Sequence, residues 1–347
     1  MGPSGDDLSM GGNKDGGAHD LAVKKDMSGN GSGDMTGNSS GDMSGDNSGD
    51  MTVANTDDMS ASMDMTMQQA PDMTSPFTTI FTIVLENTSY SQVVGNMQNA
   101  PYLNSLIAQG GLATMYSDSG FHPSLPNYLE LSSGNHVYNG FGIFDFNPTD
   151  AYDLQGDKFP VDIDNIGNQM QQAGIAWRSY QESMPSPCAL MPSGTYAPKH
   201  DGFLYYKNIQ NGPNNLCATT NVNYENNFAG DLQGGTYRYM WITPNLNDDG
   251  HDTNLMTADT WCSQNVPAIL NSATFKAGGI LFVTWDEGNN NSDQVPMIIV
   301  SPRIVKAGYQ SATKFNHASY VATVEDIFNL PRLADAQQAQ NLMEFFQ

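Results

Sequence analysis

From Phe77 onward the chain is expected to form an α/β domain, a three-layer sandwich with a mostly parallel central sheet. Three observations point there. Nearly continuous apolar runs, FTTIFTIVLE at 77–86 and GILFVTWDEG at 279–288, suit strands buried on both faces. Stretches with helical apolar spacing lie between such runs, and several end at Gly or Pro. Strands that alternate with helices join into parallel sheets through crossover connections.

Each element has its own signal. After the 77–86 strand, APYLNSLIAQGG at 100–111 places Leu103, Leu106 and Ile107 at helical spacing before a Gly-Gly stop. Pro126 suits the first turn of a helix through NYLELSS. A helix NIGNQMQQAG then runs into a strand at 175–182, and YRYMWIT at 237–243 reads as another strand. ADTWCSQNVPAILNS is helical in pattern, the 279–288 and VPMIIVSP runs are strands, and HASYVATVEDIFNL is a helix closed near Pro331.

The N-terminal part has a different composition. Residues 1–76 hold no aromatic residue, 11 of the 20 methionines, and a Gly-Asp-Met-Ser/Thr phrase repeated at Gly33, Gly41 and Gly49. With 13 aspartates against three lysines, residues 1–75 read as a disordered leader, too poor in large apolar groups to offset the entropy of ordering. The catalytic domain is expected at 76–347, with 183–235 a loop-rich insert that shapes the mouth of a site. That domain still carries 24 acids against 10 bases, which argues against nucleic acid as a partner. An anionic substrate must be held by local devices instead. No stretch is long and apolar enough to span a bilayer, and no charged head followed by an apolar run opens the chain as a signal peptide. Cys188 and Cys217 flank a Pro-, Gly- and Asn-rich loop that a disulfide would hold, and the surplus of Asn, Gly, Ser and Thr suits a secreted or periplasmic protein. Three free buried thiols are the alternative.

In sheets of this kind ligands gather beyond the carboxyl ends of the strands. Here one strand ends in Glu86-Asn87, another runs into PNLNDDGHD, and a third ends in Asp286-Glu287. Glu86, Asp286 and Glu287 would repel one another on convergence unless a divalent metal ion sat among them, with Asn87 as a neutral donor. Oxygen ligands suit Ca, Mg or Mn, and imidazole from His251 or His317 would shift the preference toward Fe or Zn. Ser124 lies near the start of its helix, where backbone N–H groups face an oxyanion, and Asn127 sits one turn on. Ser124 is then either a nucleophile or a helix cap.

Taken together, Glu86-Asn87, HPSLPNYLELSSG, YAPKHDGFLYY, TPNLNDDGHD, VTWDEG and NHASYVATVEDIFNLPRL resemble, in order, the bacterial phosphoesterase family of acid phosphatases and phospholipases C. The resemblance spans 77–333 and implies an alkaline-phosphatase-like fold. It implies Ser124 as nucleophile and metal-bound residue, Asn127 as a phosphate-binding amide, and Glu86, Asn87, Asp286 and Glu287 as metal ligands. His251, with Asp249 as its partner, is implied near metal or phosphate. His200 and His317 are implied as phosphate contacts or leaving-group acids, with His122 a further candidate for substrate binding. Cys188 and Cys217 align with family cysteines, which leaves Cys262 unpaired, whereas Asn247 and Thr253 stand where relatives often carry cysteine.

The expected function is a metal-dependent phosphomonoesterase that passes through a phosphoserine. Its close rival is a phospholipase C-like phosphodiesterase acting on phospholipid, for which Phe203, Leu204, Tyr205 and Tyr206 would form an apolar rim or else merely pack the insert. A third reading is a non-catalytic metal-binding protein whose Met/Asp leader gathers copper. The Cys/Ser-x-Pro-x-Arg motif from which sulfatases make formylglycine is absent.

Overall fold

The computed structural model describes residues 75–135, 145–151, 158–289 and 292–347. The expected leader therefore lies outside the described residues, apart from Ser75. An eight-stranded sheet organises the rest, in the order β4-β3-β5-β1-β6-β7-β2-β8. Its strands are β1 (Ile80–Leu85), β2 (Gly111–Ser117), β3 (Trp177–Gln181), β4 (Asn221–Asn223), β5 (Tyr239–Thr243), β6 (Ile280–Trp285), β7 (Met297–Val300) and β8 (Tyr309–Asn316).

The central strands form where the sequence is continuously apolar. Every residue of β1, β5 and β6 is buried, so both faces of the sheet are covered. Only β7 runs against its neighbours, pairing antiparallel with β6 and β2. The 286–296 connection from β6 to β7 is too short for a helical crossover, so the chain turns back on itself. That reversal was not expected, and neither were β2, β4 and β8. β8 alternates buried and exposed residues at the sheet edge, which gives no continuous apolar run to read.

The helices are α1 (Tyr90–Val93), α2 (Pro101–Gln109), α3 (Ser124–Ser133), α4 (Ile166–Gln172), α5 (Lys207–Gln210), α6 (Leu216–Thr220), α7 (Tyr224–Gly234), α8 (Leu255–Asn271), α9 (Ala273–Lys276) and α10 (His317–Phe328). α3, α4 and α10 pack on one another, while α2 packs on α8 and on β7, so helical layers cover the sheet. No described helix is long and apolar enough to cross a membrane.

Register places the site. Leu85 of β1 pairs with Trp285 of β6, so the residues that follow, Glu86 and Asp286, leave the sheet side by side. The 183–235 segment is built from short helices and β4, and Phe203, Leu204, Tyr205 and Tyr206 are all fully buried. They pack the interior, so the apolar rim considered for a lipid substrate is not made by these residues. Cys188 and Cys217 form a disulfide, and Cys262 is free and buried.

Candidate active site

Strand ends deliver most of the polar groups. Glu86 follows β1, Asp118 follows β2, Asp286 follows β6 and His317 follows β8, all at the carboxyl edge of the parallel strands. α3 approaches the same edge with its first residue, Ser124, which is 1% exposed. The Ser124 hydroxyl donates to Glu86 Oε2 at 3.0 Å and makes no capping bond to its own helix. The acceptor for the start of α3 comes from elsewhere: Leu125 N–H donates to Asp145 Oδ1 at 3.1 Å, and Lys199 Nζ holds the other Asp145 oxygen at 2.6 Å. A carboxylate there also suits the positive end of the helix dipole.

Glu86 is the hub. Its Oε1 accepts a 2.5 Å hydrogen bond from Tyr128 OH, one turn along α3 from Ser124. Tyr128 stacks on His200 with ring centroids 5.2 Å apart and planes 8° from parallel. The His200 imidazole lies between Asp249 Oδ2, 3.3 Å from Nδ1, and Glu86 Oε1, 3.4 Å from Nε2. Gly202 permits this approach, because a Cβ there would lie 2.5 Å from the Tyr128 carbonyl oxygen.

Burial dominates the electrostatics. It raises the Glu86 carboxyl well above the usual range, and repulsion from Asp286 and Asp249 adds to the effect. Burial likewise pushes Asp286 to about 7, Asp249 to about 8 and Glu287 to about 9, with Asp286 adding to the rise at Glu287. His200 moves the other way, held well below its ordinary value by burial first and then by Lys199 and His251, so the imidazole is neutral. Buried His200 Nε2, Asp249 Oδ2 and Asp286 Oδ2 have no hydrogen-bond partner among the described residues. Crowded carboxylates beside a neutral imidazole with unused donor atoms fit a divalent cation chemically. Ligand atoms of Glu86, His200 and His251 all lie within 4.8 Å of one another.

The remaining expected residues divide. Asn87 N–H donates to Asp286 Oδ1 at 3.1 Å, and Asn87 also lines a neighbouring cleft. Asn127 commits both amide hydrogens, to Phe121 O at 2.8 Å and Glu287 Oε2 at 3.2 Å, and its Oδ1 accepts from Ser119 N–H at 3.0 Å. Here it braces the Ser124 loop against Glu287 and presents no unused donor. His122 Nδ1 lies 2.8 Å from Glu287 Oε2, at the same corner. His251 is partly exposed, its Nδ1 2.7 Å from Asp252 Oδ1, and its ring centroid is 5.6 Å from that of His200. Asp249 accepts the His251 backbone N–H at 2.7 Å, so it supports both imidazoles.

His317 is not brought into the pocket. It is fully buried, with Nε2 2.7 Å from the Asp286 carbonyl and Nδ1 3.0 Å from Tyr116 OH. It fixes the end of β6 and is not placed as a leaving-group acid. Sequence reasoning passed over Tyr128, Lys199, Asp145 and Asp118, whose Oδ2 accepts Gly288 N–H at 2.8 Å and ties β2 to the Asp286-Glu287 turn. Lys199 had a signal, being the cation beside His200, whereas Tyr128 reads as an ordinary apolar-face residue of α3.

The fold is of the kind seen in alkaline phosphatase superfamily proteins. A superfamily protein from Vibrio parahaemolyticus superposes with a TM-score of 0.51 at 11% identity, over 75% of this chain and 70% of that one. The profile of the phosphoesterase family matches residues 96–331, and the chain belongs to that family. A phosphatidylinositol-3-phosphatase of Mycobacterium tuberculosis is 27% identical over 78% of this chain and 83% of its own length. A probable acid phosphatase of Kluyveromyces lactis is 28% identical over 77% of this chain and 62% of its own length. The chain is a phosphoric ester hydrolase.

Proposed function

We propose that the chain is a metal-dependent phosphomonoesterase of the acid phosphatase kind, with Ser124 as the nucleophile that carries the phosphoryl group. The observation that carries this reading is the buried Ser124 hydroxyl donating to Glu86 beside the Asp286 strand end. Glu86, Asn87, Asp286 and Glu287 would hold the cation together with Ser124, and His200 stands close enough to Glu86 to join them. A bound divalent ion would supply positive charge that favours the serine alkoxide and a phosphoryl oxygen.

Ser124 Oγ attacks phosphorus as the bond to the leaving oxygen breaks, and the hydroxyl proton passes along its existing hydrogen bond to Glu86 Oε2. The departing oxygen takes a proton from His251, the partly exposed imidazole at this edge. Water then attacks the phosphoserine from the vacated side and gives a proton to His251, while the bond from phosphorus to the serine oxygen breaks and that oxygen recovers its proton from Glu86, releasing phosphate. Lys199 adds local positive charge in an acidic domain, while Tyr128 and Asn127 hold Glu86 and Glu287 in place. The buried aromatic residues of the 183–235 segment favour this reading over a phospholipase C-like one. The disulfide supports an exported location.

Ser124→Ala tests the assignment. Turnover of p-nitrophenyl phosphate should fall by at least ~10³-fold with an unchanged circular dichroism spectrum. Acid quenching should trap labelled phosphate on the unaltered protein alone. Wild-type rates in the variant would remove Ser124 from the chemistry.

A further inference from the structure

Next to the Ser124 pocket lies a cleft of about 720 Å³, and Asn87 and His251 form part of its wall. The cleft thus shares His251, the residue proposed to protonate the leaving alcohol, with the site. Ser91, Gln92, Asn99 and Asn254 line it further out. Among the described residues its lining holds no Lys, Arg, Asp or Glu, and Val94 and Leu255 are its larger apolar side chains.

Several lining amides are anchored by one atom and present the other. Gln92 Oε1 accepts Ser89 N–H at 3.1 Å, and Asn254 Oδ1 accepts Thr257 N–H at 3.2 Å, which leaves each amide NH₂ available. The side chains of Asn87, Ser91 and Asn99 make no hydrogen bond among the described residues, although each amide or hydroxyl can both donate and accept. Such groups match the hydroxyls of a sugar or cyclitol, which also donate and accept. Apart from His251 the cleft offers no cationic side chain for a second phosphate, its lining is more polar than apolar, and its volume lies in the range of small-molecule sites.

We infer that this cleft is the leaving-group subsite and that it selects phosphomonoesters of neutral polyhydroxylated alcohols. The inference rests on the proposed reading of Ser124 and narrows its substrate class.

The test has a kinetic arm and a binding arm, each comparing the full chain with the double variant Ser91→Ala/Asn99→Ala. In the first, kcat/KM is measured for glucose 6-phosphate, myo-inositol 1-phosphate and p-nitrophenyl phosphate. The variant should lose about tenfold on at least one polyol ester and stay within about twofold on p-nitrophenyl phosphate. Equal losses on all three, or no loss on any, would overturn the subsite. In the second arm, saturation-transfer NMR follows free glucose and myo-inositol, which need no catalysis. Signal seen with the wild type and weakened in the variant supports the subsite even if no ester is hydrolysed, in which case it is the Ser124 reading that fails. Absence of signal for both alcohols, together with unchanged ester selectivity, rejects the cleft as a polyol site.

Discussion

Tyr128 shows how one side chain can serve two others. Its hydroxyl donates to Glu86 and its ring lies flat on His200, so a carboxylate and an imidazole that face each other are both fixed from α3. Hydrogen bonds to charged acceptors contribute about 1.5–3 kcal/mol. Tyr128→Phe keeps the ring and removes the donor, and kcat should fall roughly tenfold or more with little change in folding. Comparison with Tyr128→Leu separates the hydroxyl from the stack: equal losses in both variants would assign the effect to the hydroxyl, and a loss only in the Leu variant would overturn its role. His317 shows the opposite economy, since its two ring nitrogens are spent on the Asp286 carbonyl and Tyr116 and none is left for substrate.

The segment between β3 and β4 carries Lys199, His200 and Gly202 to the sheet edge on short helical turns. Two constraints hold it there. Gly202 lets it press on the α3 backbone, and the Cys188–Cys217 disulfide closes it across a separation of 29 residues. Closing a loop of that length removes unfolded-state entropy worth about 3–4 kcal/mol. The double variant Cys188→Ala/Cys217→Ala should therefore unfold at markedly lower denaturant concentration. Because the freed segment carries Lys199 and His200, kcat/KM should drop as well under conditions where the protein remains folded. Lost stability with fully retained activity would show that the segment is positioned by packing alone.

The domain concentrates acids both over its surface and inside its site, and this couples stability, metal and pH. Asp249 near 8 and Glu287 near 9 bind protons more tightly folded than unfolded. Without metal, their contribution is present below the ordinary carboxylate range and is lost as pH rises through those values. A cation needs the ionised forms, so its affinity and its stabilising effect grow over the same interval. The difference in Tm between metal-loaded and chelator-treated protein should widen from pH 5 to pH 9. A difference that shrinks with rising pH would contradict carboxylate ligation.

Local pattern was enough for the buried elements: 77–86 and 279–288 are nearly continuously apolar because sheet centres exclude water from both faces. β8 escaped notice because an edge strand buries one face only, and polar residues in between break the run. Ser124, Glu86 and Asp286 stood out as polar groups at the ends of apolar stretches, which is how a strand edge looks in one dimension. Their meeting could not be read there. Glu86 and Asp286 are neighbours because β1 pairs in register with β6, and Tyr128 reaches Glu86 because α3 lies across that edge. Composition and periodicity set which segments are buried and where chemistry can emerge; register and packing between distant segments chose which imidazole faces the pocket, because those contacts join residues that no local rule relates.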